Sequence, residues 1–242
     1  MAKIDITKTE LVWPGKYNDD GTRRETPRVN LPFQVIERIN ESRATRDANK
    51  LPRTLSLFDA YSGDEGDTFA DGWRNKLIWG DNLLVMGSLL EKFAGKIDLI
   101  YIDPPFATGA DFSFTTQLGE GSLDLLKEQS LIEEKAYRDT WGSGIQSFLN
   151  MMRDRLTIME EMLSSEGSIF VHLAPPMSSY VRVILDEIFG SDNFRNEIVL
   201  HRPISKNLQR QFPRVRGLPQ GHDVMLWYSK SADVRFAPLL ST

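Results

Sequence analysis

The chain has 242 residues, 40% of them hydrophobic and 26% charged, the balance of a folded protein with one sizeable core. It contains no cysteine, which excludes disulfides, thiolate metal sites and a cysteine nucleophile, and with the last of these the covalent ring addition of C5-cytosine methylation. A net charge of −5 argues against a nonspecific nucleic-acid coat, and no apolar stretch approaches the ~18–20 residues of a membrane helix.

The amino-terminal "MAKIDITKTE" lacks the apolar core of a secretory signal, so a soluble, cytoplasmic protein is expected. Residues 1–30, polar and broken by "WPGKYNDDGTRRETPRVN", read as an extended or poorly ordered arm. "LPFQVIERINES" reads as a short amphipathic helix with Phe33 and Ile36 on one face. The Gly/Asp-rich "AYSGDEGDTFADG" reads as a linker, so residues 1–72 form an arm and the main domain begins near Trp73.

From there strands and helices alternate. "KLIWG" predicts a short strand ending at Gly80, and "DNLLVMGSLLEKF" a helix capped by Asp81. "KIDLIYID" is a continuous apolar run, the pattern of a parallel strand covered on both faces. A charged helix is expected near 122–136. "IQSFLNMMRDRLTIMEEMLSSEG" gives the strongest helical periodicity, through Phe148, Met152, Leu156, Met159 and Leu163, with Gly167 ending it. The Met-rich stripe is core packing. "GSIFVHL", a helix over "SSYVRVILDEIFG", and strands at "NEIVLH" and "DVMLWYS" complete a three-layer α/β domain with a mostly parallel sheet.

Two features carry chemistry. His172, His201 and His222 form no H-x-x-x-H pair, so no metal is expected; His172 reads as a hydrogen-bonded histidine at a strand end. The stretch 195–216 concentrates six cations (Arg195, Arg202, Lys206, Arg210, Arg214, Arg216) against one acid, Glu197. A phosphate-binding face and a solvated loop fit that charge pattern equally well. The second feature is "YIDPPFATG". Ligands of open α/β sheets sit beyond the carboxyl ends of the strands, and Asp103 stands there. Pro104 and Pro105 each fix their own φ and bring no N–H, so their carbonyls remain acceptors. Phe106 adds an aromatic face. A carboxylate, a carbonyl and a stacking surface make a receptor for a flat ring bearing an exocyclic amine, such as a nucleobase.

Asp103-Pro104-Pro105-Phe106 resembles the D-P-P-[YFW] motif of amino-group DNA methyltransferases. "LIWGDNLLVMGSLL" upstream, and "DTWGSGIQSFLNMMRDRLTIMEEMLSSEGSIFVHL" and "ILDEIFGSDNFRNEIVL" downstream, resemble the flanking segments of type III restriction-system modification subunits, in the same order. The chain is therefore similar, over about 73–230, to a β-class N6-adenine DNA methyltransferase, with a Rossmann-like fold. The resemblance implies a catalytic region over 73–194 and the start of target recognition over 195–242. It implies that Asp103 and the Pro104 carbonyl hold the adenine N6 amine, that Phe106 stacks on the extruded base, and that the methyl group comes from S-adenosylmethionine without a metal. It also places Asp81 near the cofactor and turns the basic stretch toward double-stranded DNA. N4-cytosine enzymes more often carry Ser at the position of Asp103, which leans toward adenine; N4-cytosine methylation and a non-catalytic DNA-binding remnant are the alternatives. Relatives end in a D-P-F-x-G-S-G-type cofactor turn with no counterpart here. This leads to the expectation of a truncated or split product with an incomplete sheet, needing a second polypeptide or working beside a restriction subunit. Relatives also carry an acid two residues after the counterpart of His172, where this chain has Ala174.

Overall fold

The computed structural model describes residues 9–34, 54–55, 75–105, 114–117, 124–127, 145–202, 221–234 and 236. Its main sheet has four strands: β3 (Ile97–Ile102), β6 (Leu163–Leu173), β7 (Phe194–His201) and β8 (His222–Ser229), in the order β3-β6-β8-β7. β3 and β6 run parallel, while β8 is antiparallel to both β6 and β7. The sheet is thus mixed, with its one parallel pair at the β3 side. Two further two-stranded sheets pair β1 (Phe33–Gln34) with β2 (Thr54–Leu55) and β4 (Phe114–Gln117) with β5 (Asp124–Lys127).

Among the described residues three α-helices accompany the sheet: α1 (Asn82–Phe93), α2 (Ile145–Met162) and α3 (Pro175–Phe189). Asp81 caps α1 as its sequence predicts, accepting the Leu83 N–H at 2.8 Å. The α2 stripe of Phe148, Met152, Leu156 and Met159 is buried against Ile169, Val171, Val224 and Leu226 of the sheet. α3 starts on two prolines, where the missing N–H groups cost nothing. Its Arg182 lies 3.4 Å over the Phe194 ring and its Asp186 accepts the Tyr228 hydroxyl at 2.6 Å. Burial and that hydrogen bond push the Tyr228 phenol up, keeping it a donor.

Several expectations are corrected. "KLIWG" is not a strand: Leu77 is 97% and Trp79 87% exposed, and among the described residues no strand pairs with it. β3 is not covered on both faces. Ile100 and Ile102 pack toward the core, but Leu99 is 61% and Tyr101 55% exposed, so the face opposite the helices is open there. α2 stops at Met162, and Leu163–Gly167 already belongs to β6. Gly167 does not cap a helix; it lets β3 approach, since a Cβ there would stand 2.8 Å from the Ile97 carbonyl oxygen. Phe33–Gln34 and Asp124–Lys127 are strands where helices are expected; the rest of those two predicted helices lies outside the described residues.

Over 9–32 the arm forms no helix, but it is not simply extended: it turns back on itself through an antiparallel bridge between Tyr17 and Arg23, and it is pinned. Trp13 is buried and donates its Nε1–H to Asn150 of α2 at 3.0 Å. Lys16 is fully buried, with Nζ donating to Glu10, Glu187 and the Leu11 carbonyl at 2.8, 2.7 and 2.6 Å. Further along, Arg24 pairs with Asp154, and Leu31 N–H donates to Ser88 of α1. The strap therefore ties all three helices together.

Candidate nucleobase-amine site

The topology collects polar groups at one end of the sheet. β3 and β6 are parallel, so their carboxyl ends lie together and present Asp103 and His172. β8 runs the other way and brings its amino end, with Asp223, to the same place; β7 reverses again and delivers Arg202. Side chains two apart on a strand share a face. Tyr101, His172 and Asp223 accordingly lie on the open face, away from α2 and α3.

The groups touch in a line. His172 Nδ1 is 3.3 Å from Asp103 Oδ1, and its Nε2 is 3.4 Å from Asp223 Oδ2. The Tyr101 hydroxyl stands 3.4 Å from Nδ1. Arg202 Nε donates a short hydrogen bond to the same Asp223 oxygen. Asp223 is buried and the Asp103 side chain is 52% exposed, so the outer carboxylate faces a ligand and the inner one faces protein. Pro104 and Pro105 continue the chain from there, half-buried and exposed.

The other sequence candidates are dispersed. Phe106, Lys206, Arg210, Arg214 and Arg216 lie outside the described residues. Arg195 sits at the opposite end of β7, donating to Ser229 Oγ at 2.8 Å and the Ser231 carbonyl at 2.9 Å. Asp81 caps α1 through Oδ1, which also stands 3.5 Å from Arg155, and its side chain is 55% exposed. S-adenosylmethionine needs acceptors for its ribose hydroxyls and close backbone around its amino-acid end. The exposed Asp81 carboxylate keeps acceptor capacity of that kind, while among the described residues no glycine turn follows a buried strand. A cleft of about 430 Å³ on the open face, lined by Leu99, Phe170, Ile198, Trp227 and Phe236, lies toward the amino end of β3, away from Asp103.

Sequence reasoning passed over Asp223 and treated His172 as structural. Asp223 is the first acid of "HDVMLWYS", at a strand start, where an acid is unremarkable. Only the strand order reveals that this start adjoins the end of β6.

Residues 97–238, more than half of the chain, match the DNA methylase family of N6 and N4 enzymes, and the chain belongs to it. It is 35% identical over 156 residues to the type II methyltransferase M.EcaI of Enterobacter cloacae, covering 64% of this chain and 29% of that protein. It is 31% identical over 202 residues to the Mod subunit of the type III restriction-modification enzyme EcoPI of Escherichia phage P1, covering 81% and 30%. Among solved structures it is similar to the PvuII cytosine-N4-specific DNA methyltransferase, with a TM-score of 0.37 and 17% identity over 64% of this chain and 48% of that one. The chain spans less than a third of the length of the two curated relatives.

Proposed function

We propose that this chain forms the base-amine half of an S-adenosylmethionine-dependent DNA methyltransferase acting on adenine N6. The observation that carries the reading is Asp103: a half-exposed carboxylate at the carboxyl end of a parallel strand, with His172 Nδ1 3.3 Å from one of its oxygens, followed by two prolines. The amine lone pair of adenine is delocalised into the ring, which makes N6 a poor nucleophile. A carboxylate and the Pro104 carbonyl, each accepting one N–H, favour a more tetrahedral nitrogen with its lone pair turned toward the methyl donor. Acceptors fixed by the sheet end and by proline need no reorganisation as charge develops. Phe106 stacks on the extruded base and offsets part of the few kcal/mol of unstacking.

Aspartate at 103 and the similarity to a type III Mod subunit favour adenine over cytosine N4. That similarity also favours a restriction subunit as a companion, and double-stranded DNA as the substrate. The test is transfer of labelled methyl groups to DNA by the wild type and by Asp103→Ala, followed by nucleoside analysis of the product. N6-methyladenine from the wild type and its loss in Asp103→Ala are expected. Labelled DNA from Asp103→Ala sinks the assignment.

A further inference from the structure

Resting on that reading, we infer that His172 is a positioning residue for Asp103 and the exit for the proton that the base amine gives up. Two observations support it. The line Asp103–His172–Asp223–Arg202 runs through contacts of 3.3 Å and 3.4 Å into a short charge-assisted hydrogen bond, and its inner carboxylate is buried.

The charges explain why a proton is drawn inward. With the ring proton on Nε2, facing Asp223, the Nδ1 lone pair points toward Asp103 Oδ1 and accepts from the Tyr101 hydroxyl. Two acceptors, Oδ1 and Nδ1, then confront each other across 3.3 Å, an arrangement completed by one proton. Counting Asp103, Asp223 and Arg202 with a neutral imidazole, the line carries one net negative charge; adding a proton makes it neutral. Asp223 offers the imidazolium a carboxylate that water reaches poorly, where a charge pair is worth more than at the surface. Asp223 Oδ1 is itself buried without a hydrogen-bond partner among the described residues, so the carboxylate keeps capacity for a cation.

A methylated exocyclic amine holds one proton too many. Its N–H bond breaks, the electron pair stays on nitrogen, and the proton passes to the Asp103 carboxylate. The carboxyl then turns about χ2 and delivers the proton to Nδ1. Asp103 returns to the ionised acceptor that the next amine requires. Among the described residues, Tyr101 and Asp103 from β3 and its end and Asp223 from β8 face the imidazole, with Arg202 behind Asp223.

The experiment compares the full protein with His172→Gln and Asp223→Asn, following methyl transfer to DNA across pH. A positioned proton acceptor contributes ~10²–10⁴-fold. The expected result is a kcat loss in that range for His172→Gln, with KM for DNA changed less than threefold (~), disappearance of the acid limb of the kcat profile, and partial rescue of His172→Ala by added imidazole. A kcat within threefold (~) of wild type, or a loss confined to KM, overturns the inference while leaving the Asp103 assignment standing. Activity in Asp103→Ala overturns the parent reading instead. A readout without turnover covers variants that fold poorly and a wild type that shows no transfer. Ring-nitrogen NMR of His172 should show the Nε2–H tautomer and ring-nitrogen chemical shifts that move in both Asp103→Asn and Asp223→Asn; a His172 signal indifferent to both substitutions refutes the line.

Discussion

Lys16, in a loop near the amino terminus, places its ammonium 2.7 Å from the carboxylate of Glu187, at the end of α3 and 171 residues away in sequence. Glu10 takes the same ammonium from the other side at 2.8 Å, and both carboxylates are about 95% shielded from solvent. Removing a buried ion's partner leaves an uncompensated charge, at about 3–5 kcal/mol. Lys16→Met leaves the two carboxylates only Arg23, 2.8 Å from Glu10 and 3.6 Å from Glu187, and is expected to destabilise the fold at the lower end of that range, read as a lower urea midpoint. Glu187→Gln leaves Lys16 its Glu10 partner and should cost less. A Lys16→Met midpoint equal to that of the wild type would show that the strap does not hold the helices together.

The same cluster sets an acid limit. Burial pushes the Glu10 carboxyl up, but hydrogen bonds from Lys16 and Tyr17, and the charges of Lys16 and Arg23, more than offset it and hold the carboxyl below its ordinary range. A depressed folded-state value contributes stability that is present above the unfolded value and is lost as pH falls through the folded one. Stability should therefore be flat through neutrality and decline below pH ~4. Glu10→Gln should be less stable at pH 7 and lose part of that decline. Denaturant melts of both proteins between pH 7 and pH 3 (~) provide the check.

Gly167 has no room for a side chain. A Cβ would meet the Ile97 carbonyl oxygen at 2.8 Å, the Leu163 side chain at 3.0 Å and the Ser164 carbonyl oxygen at 3.1 Å. Two of these three are main chain and cannot swing away. Gly167→Ala should push β3 from β6 and cost about 1–3 kcal/mol, as overpacking does. Because β3 carries Asp103 and β6 carries His172, the variant should also lengthen the 3.3 Å contact between them. Loss of methyl transfer at a temperature where the fold remains intact would report that displacement; unchanged stability would mean that the strands have more slack than their backbone contacts suggest.

The helical parts of this architecture are legible in the sequence because their faces are written at a 3.6-residue period. The α2 stripe, the Asp81 cap and the helix before Gly190 are all present. Strand partnership is not written locally. "KLIWG" has strand composition, yet Leu77 and Trp79 stand in solvent because a strand needs a neighbour. "MLSSEG" continues a helical pattern, but the pairing of Leu163 with Ile97 claims it for the sheet. The site divides in the same way. Asp103 with its two prolines is a local signature and can be seen from the residues alone. His172 and Asp223 acquire a role only from a strand order that brings residues 103, 172 and 223 to one end of the sheet.

The two described arginines of the basic stretch should separate in a DNA-binding experiment. Arg202 follows β7 at the Asp103 end of the sheet, with its side chain 51% exposed while Nε holds Asp223. A guanidinium is permanently charged, so Arg202 places a positive charge at the end of the sheet that carries Asp103, where it attracts a phosphate. Arg195 is at the other end of the strand, its Nε and Nη2 bound to Ser229 and Ser231. Neutralising one phosphate contact lowers the slope of log affinity against log salt by about 0.9. Arg202→Gln should therefore weaken DNA binding and flatten the slope by about that amount. Arg195→Gln should leave the slope unchanged and lower thermal stability, because Ser229 Oγ loses its Arg195 donor and the Ser231 carbonyl keeps only that of Ser229. Fluorescence anisotropy with duplex DNA from about 50 to 200 mM salt, paired with melting curves, measures both effects. A flattened slope in Arg195→Gln would place the DNA across the whole length of β7 rather than at the end that carries Asp103.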